Sequence, residues 1–165
     1  MNYKDPLTER IIKLFTDNKL PVKTYHRGPI FFAPAKNELP FLAVINTTEG
    51  MSRRGTRQTE TTFAFALRLI TDFTTGIDKR WDVSPGYMRL KELIAARDSD
   101  YGLKTPTIFN ILDSNKRLEE TANLYILNDI LANYTNPLAP LPGDIYTTEA
   151  TVTFSLNLEA TSGDA

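Results

Sequence analysis

Residues 41 to 70 read FLAVINTTEGMSRRGTRQTETTFAFALRLI. An apolar run leads to Gly50, GMSRRGT follows, and a second apolar run begins at Phe63. A phosphate-binding loop starts in the same way, with a strand, a Gly, four residues and a Gly. That loop then needs Lys and Ser or Thr, and a helix whose N-terminus holds the phosphate. Here Thr56 and Arg57 follow Gly55. Beyond them Phe63, Phe65, Leu67 and Leu69 alternate with Ala64, Ala66, Arg68 and Ile70. That is the period of a strand with a bulky side and a mostly small side. Both features of a nucleotide loop fail. The stretch predicts a long β-hairpin instead, with strand 41–49 paired to strand 58–71 and TEGMSRRGTR as its protruding tip. Two glycines supply the backbone angles a tip needs. Arg53, Arg54 and Arg57 gather there beside Glu49, Met51 and Glu60. Arginine suits a solvated tip, and through its bidentate fork it equally suits a neighbouring subunit or a polyanion.

The surrounding chain sets the class. Asp5-Pro6 has the form of an N-cap followed by the first helical residue. Leu7, Ile11, Leu14 and Phe15 then make one apolar stripe, which predicts an amphipathic helix ending near Lys19. Val22–Arg27 reads as a short strand. IFFAPAKNELP reads as a loop with exposed aromatics, Phe31 and Phe32. Residues 72–82 read as another loop, carrying Trp81. Ser84-Pro85 and Thr105-Pro106 repeat the cap-plus-proline pair. They predict one helix to about Arg97 and a second short one over IFNILDSNKRLEE. Leu124–Leu131 is ambiguous between helix and strand. Pro137, Pro140 and Pro142 break the chain. Ala150, Val152, Phe154, Leu156 and Leu158 then alternate with polar residues, a strand with one wetted face. The expected fold is α+β. A mainly antiparallel sheet with a long protruding hairpin packs against the N-terminal helix and one or two middle helices. Residues 1–165 form one domain, with a short flexible tail at about 160–165.

Composition narrows the function. Charged residues are 24% of the chain and the formal net charge is −1, so no whole-molecule field draws it to nucleic acid or acidic membrane. There is no cysteine, which excludes disulfides, thiolate catalysis and cysteine-held zinc. No secretory leader and no membrane span is expected. His26 is the only histidine, and no acid, serine or cysteine motif marks a partner for it. Asp98 and Asp100 lack the third acidic position of a calcium loop and read as a helix-ending turn. The expectation is no catalytic, cofactor or metal site, hence no enzyme. An arginine tip and the loop aromatics Phe31, Phe32 and Trp81 suit protein contacts.

In layout the chain resembles the tail terminator (tail completion) proteins of long-tailed bacteriophages. The resemblance runs through the N-terminal helix DPLTERIIKLF, the hairpin LPFLAVINTTEGMSRRGTRQTETTFAFALRLI, a helical middle, and the closing strand IYTTEATVTFSLNLEA. It implies a virion structural protein at the tail–neck junction, assembled in the host cytoplasm. It further implies a ring, usually a hexamer, that caps the tail tube and joins it to the head-side connector or stopper, with DNA passing through the hole. The hairpin then contacts the next subunit or an adjoining ring. If Arg53, Arg54 or Arg57 faced the channel, they would meet genomic DNA phosphates without reading sequence. Arg–Glu pairs between subunits are the other use of the same side chains. The alternatives are another neck or tail component (stopper, adaptor or tube-like) and a small ligand-binding domain or enzyme.

Overall fold

The computed structural model describes residues 4–72, 85–119, 122–127, 129–134 and 147–161. The fold is α+β, as the sequence pattern predicts. Helix α1 (Pro6–Asp17) leads to β1 (Thr24–Arg27), β2 (Phe41–Arg53) and β3 (Gln58–Asp72). Helices α2 (Pro85–Ile94) and α3 (Ile108–Ser114) follow. The chain then adds β4 (Arg117–Glu119), β5 (Leu124–Ile126), β6 (Leu131–Tyr134) and β7 (Thr147–Thr161).

These strands form one sheet in the order β1-β2-β3-β7-β5-β4, and β6 pairs with β7 beside β5. Every pairing is antiparallel except β1 with β2. The alternation in FAFALRL settles which face is inside. Phe63, Phe65, Leu67 and Leu69 are buried, while Ala64, Ala66 and Arg68 are only half-buried. Their partners Val152, Phe154 and Leu156 on β7 point the same way, and the Phe65 and Phe154 rings stack at 5.7 Å. All three helices cover this face. α1 lies on β2 and α3, and α2 lies on β3, β6 and β7. Leu90, Leu93 and Ile94 of α2 complete the core with Ile108, Ile111 and Leu112 of α3. On the other face Phe41, Ala43 and Ile70 form a small cluster under the 29–40 loop.

Several elements differ from expectation for local reasons. Asp5 caps α1 as predicted, its Oδ2 accepting from the Thr8 N–H at 3.0 Å. Ile12 joins Ile11, Leu14 and Phe15 in the buried stripe, and Leu7 is only half-buried. The second cap is Thr107 rather than Thr105. Its Oγ1 accepts from the Asn110 N–H at 3.2 Å; the helix is short, and RLE becomes β4. α2 stops at Ile94, and Arg97 instead bridges to Leu103 around the Asp98 turn. Oδ1 of Asp98 accepts from the N–H groups of Asp100 and Gly102, both at 2.9 Å, which makes that turn a local hydrogen-bonded structure. The ambiguous 124–131 segment holds β5 and the start of β6. Residues 160 and 161, expected in the tail, pair with Thr59 and Gln58.

Candidate assembly surfaces

The tip is shorter than the sequence suggests because the strands run further. β2 extends to Arg53 and β3 begins at Gln58, so residues 54–57 alone turn the chain. Arg54 donates its N–H to the Gln58 carbonyl at 2.8 Å, and Gly55 sits at φ +82°, where side chains are strained. A bulge at Thr47 resets the register between Asn46 and Thr48. From Thr47 to Arg53 every residue of β2 is exposed.

Register fixes where each predicted side chain goes. Glu49, Met51 and Arg53 alternate along β2, opposite Phe63, Thr61 and Thr59, so they share one side. That side is continuous with the core, yet it lies past the helices. Met51 is 72% exposed there. Glu49 accepts from the Asn46 amide at 2.6 Å. Among the described residues no ion pair engages Arg53. Arg54 does find a partner, its Nε lying 2.5 Å from Glu60 Oε2. That cation is needed because Glu159 of β7 stands directly opposite Glu60, and like charges across a strand pair repel.

Glu159 was not legible as part of the tip. β7 pairs with β3 along the whole length of both strands, from Gln58↔Thr161 to Asp72↔Thr147. The hairpin is therefore the edge of a sheet that is three strands wide at its end and gains β5 beside β7 from Leu158 inward. Asn123, Glu159 and Ala160 join Arg54 and Glu60 around a cleft of ≈ 140 Å³. The sequence carried no signal of this, because the readable alternation ends at Leu158 while β7 runs on to Thr161.

The aromatic loop lies at the other end of the same strand. Phe31 is 91% exposed. Phe32, at 53%, is partly structural, since its ring meets His26 edge-on at 5.5 Å and Phe41 at 6.4 Å. His26 in turn stacks on Phe41 at 5.7 Å, and its Nε2 lies 3.3 Å from the Pro29 carbonyl oxygen, a packing role without acid or nucleophile. Met88 is exposed on α2 beside the loop, across a groove that Leu39 and Pro40 also line. Trp81 lies outside the described residues. Residues 41 and 53 bound β2, so roughly 40 Å of strand separates the two surfaces. The structure does not bring the arginine tip and the aromatic loop together.

Titration is perturbed at few positions. Burial pushes the Tyr25 hydroxyl up to about 12, and that oxygen has no hydrogen-bond partner. Burial also raises Tyr134, aided by the nearby Tyr87. Hydrogen bonding to Arg27 holds Glu9 below the usual carboxylate range and raises Arg27. None of these groups faces the tip cleft. Among the described residues no group of His, Asp and Glu is arranged to hold a metal ion, and no helix is long and apolar enough to cross a membrane. No protein-family model matches the sequence, and no curated protein matches it.

Proposed function

We propose that this chain is a structural virion protein, the tail terminator of a long-tailed bacteriophage. In this reading copies of the chain close a ring on the end of the tail tube and join it to the head-side connector or stopper. The observation that carries the proposal is the division of the sheet. β2, β3 and β7 are clad by helices over one half and continue past them as a ribbon, ending in Arg53, Arg54, Arg57 and the exposed Met51. A bare ribbon with a charged end is costly to keep on a free subunit and natural at a contact between subunits. The exposed Phe31 and Met88, at the far end of β2, offer a second contact of different character, so one subunit presents two unlike surfaces. Two unlike surfaces are what a head-to-tail ring requires. Arg54 is already held by Glu60, and the whole chain is nearly neutral, which favours protein contacts over a grip on DNA.

Native mass spectrometry of the purified chain, alone and with a candidate tube protein, tests this together with negative-stain images. The expected result is a closed ring with a central hole wide enough for duplex DNA. A chain that stays free of any ring with the tube present, and instead binds a small molecule, overturns the reading.

A further inference from the structure

The open edge of β2 carries a second message, independent of the ring. β1 pairs only with Phe41–Val44, so among the described residues no strand lies on the outer side of residues 45–53. Hydrogen bonding alternates along an antiparallel pair. The bond from the Arg54 N–H to the Gln58 carbonyl fixes the phase. Ser52, Gly50 and Thr48 therefore bond to β3, while the N–H and C=O groups of Glu49, Met51 and Arg53 point away from the sheet. Free edges of this kind recruit another strand unless something prevents it.

Natural edges are commonly guarded by charge, because two copies then repel. Here the charges have opposite signs and sit evenly about one residue: Glu49, Gly50, Met51, Ser52, Arg53. Consider two copies pairing antiparallel about Met51. Each Glu49 then faces the Arg53 of the other copy, and the two Met51 side chains meet at the centre. Gly50 faces Ser52, which leaves the opposite side uncrowded. Glu49, Met51 and Arg53 are also the residues whose backbone groups point outward, so the same register satisfies main chain and side chains together. The turn of the second copy, residues 54–57, lands beside residues 45–48. A groove of ≈ 380 Å³ opens there, bordered by Arg27, Gly28, Ile45 and Asn46 and, at the start of α1, by Lys4 and Asp5.

We propose that the free chain forms a symmetric dimer by antiparallel pairing of the Glu49–Arg53 edges of two copies. Such a contact is self-complementary and closes after two subunits, so it cannot propagate into a ring. A subunit engaged in this way has its tip occupied. The dimer is thus a form that competes with any assembly using the same tip.

A charge-swap experiment on the full chain tests the register directly, with molar mass read by light scattering and analytical ultracentrifugation. The wild type is expected to dimerise with rising concentration. Glu49→Arg and Arg53→Glu each place like charges at both symmetric positions, and each variant is expected to weaken the dimer roughly tenfold or more. Mixing the two variants restores opposite charges at both positions, so the equimolar mixture is expected to dimerise where neither variant does alone. Unchanged circular dichroism and melting temperature show that each variant folds. A wild type that stays monomeric overturns the proposal. So do single variants that dimerise as well as the wild type, or a mixture that stays monomeric. None of these outcomes depends on a tube or a closed ring.

Discussion

Phe63–Ile70 and Gln58–Thr62 are consecutive parts of one strand, paired to the same two neighbours, yet they do opposite work. In the first part every second side chain reaches the helix layer and is buried. In the second part Gln58 and Thr62 are exposed and Thr59, Glu60 and Thr61 only half-buried. Backbone pairing is identical in kind along both. What differs is the apolar area removed from water, which dominates folding. The strand therefore has a half that holds the fold and a half that is free to be used elsewhere.

The sharpest way to break this comparison is to cut one side chain from each half. Leu67 is fully buried between the sheet and the helices. Leu67→Ala should cost about 2–5 kcal/mol in a chemical denaturation experiment, from lost transfer energy plus the cavity. Met51→Ala, on the exposed half, should change stability by no more than about 0.5 kcal/mol. Comparable losses at both positions would mean that the ribbon contributes to the core.

A second measurement concerns where the sheet's clad half ends at β1. Tyr25 packs against the core, and its buried hydroxyl has no partner. Its folded pKa is raised by burial to about 12 from the ordinary 10.0, so the folded state keeps its proton longer than the unfolded state. The associated stability is fully present below pH 10 and declines as pH rises from there through about 12. Tyr25→Phe removes a hydroxyl that makes no hydrogen bond, so it should be neutral or slightly stabilising at pH 7. Melting temperatures followed into the alkaline range should fall less steeply for the variant than for the wild type. Parallel curves would show that the hydroxyl is solvated.

At the ribbon end the expected effect on folding is smaller still. Replacing Arg53, Arg54 and Arg57 together by Ala removes the exposed Arg54–Glu60 pair, a kind worth about 0.2–1 kcal/mol. For a chain of this size that is a shift of about 2–4 °C or less in melting temperature. Assembly should fail in the same protein, as seen by native mass spectrometry with the tube present. A large loss of thermal stability would place the arginines among the fold's supports and count against an assembly role.

Legibility followed the same division. The period-two pattern of FAFALRL and of VTFSLNL identified the inner strands, because burial on one face forces apolar residues to every second position. The cap at Asp5 was readable for a similar reason, since few side chains satisfy a helix's first N–H groups. The ribbon was misread as a loose tip because exposed strands carry no apolar alternation. Its order comes from the partner strand, and the 15-residue match of β3 with β7 is a tertiary fact. The parallel placement of β1 escaped for the same reason. At the candidate surfaces the residue types were legible, but not their separation. Phe31 and Arg53 lie in segments that flank one another in sequence, and only the extension of β2 puts them at opposite ends.

The smallest expected effect lies at a surface ion pair in the clad half, and it sets the scale for the pair at the tip. Glu9, in the first turn of α1, accepts hydrogen bonds from the Arg27 guanidinium at the end of β1, one of them at 3.0 Å. That bond holds the Glu9 carboxyl below its ordinary value of 4.5. The folded state thus favours the charged form, and the pair's contribution is present above pH 4.5 and lost as pH falls through the lowered folded value. The Arg27 and Glu9 side chains are 46% and 31% exposed, so solvent screening keeps the contribution to about a few tenths of a kcal/mol. Glu9→Gln should therefore melt slightly below the wild type at pH 7 and low salt. The gap should close as pH falls through that lowered value, and also at about 1 M salt, where charges more than about 3 Å apart are screened. A gap that survived both conditions would assign the effect to packing of α1 on the sheet. A gap that closes would assign the effect to charge, and the same salt titration then reads the Arg54–Glu60 pair at the tip, where Glu159 opposite Glu60 keeps the arginine needed.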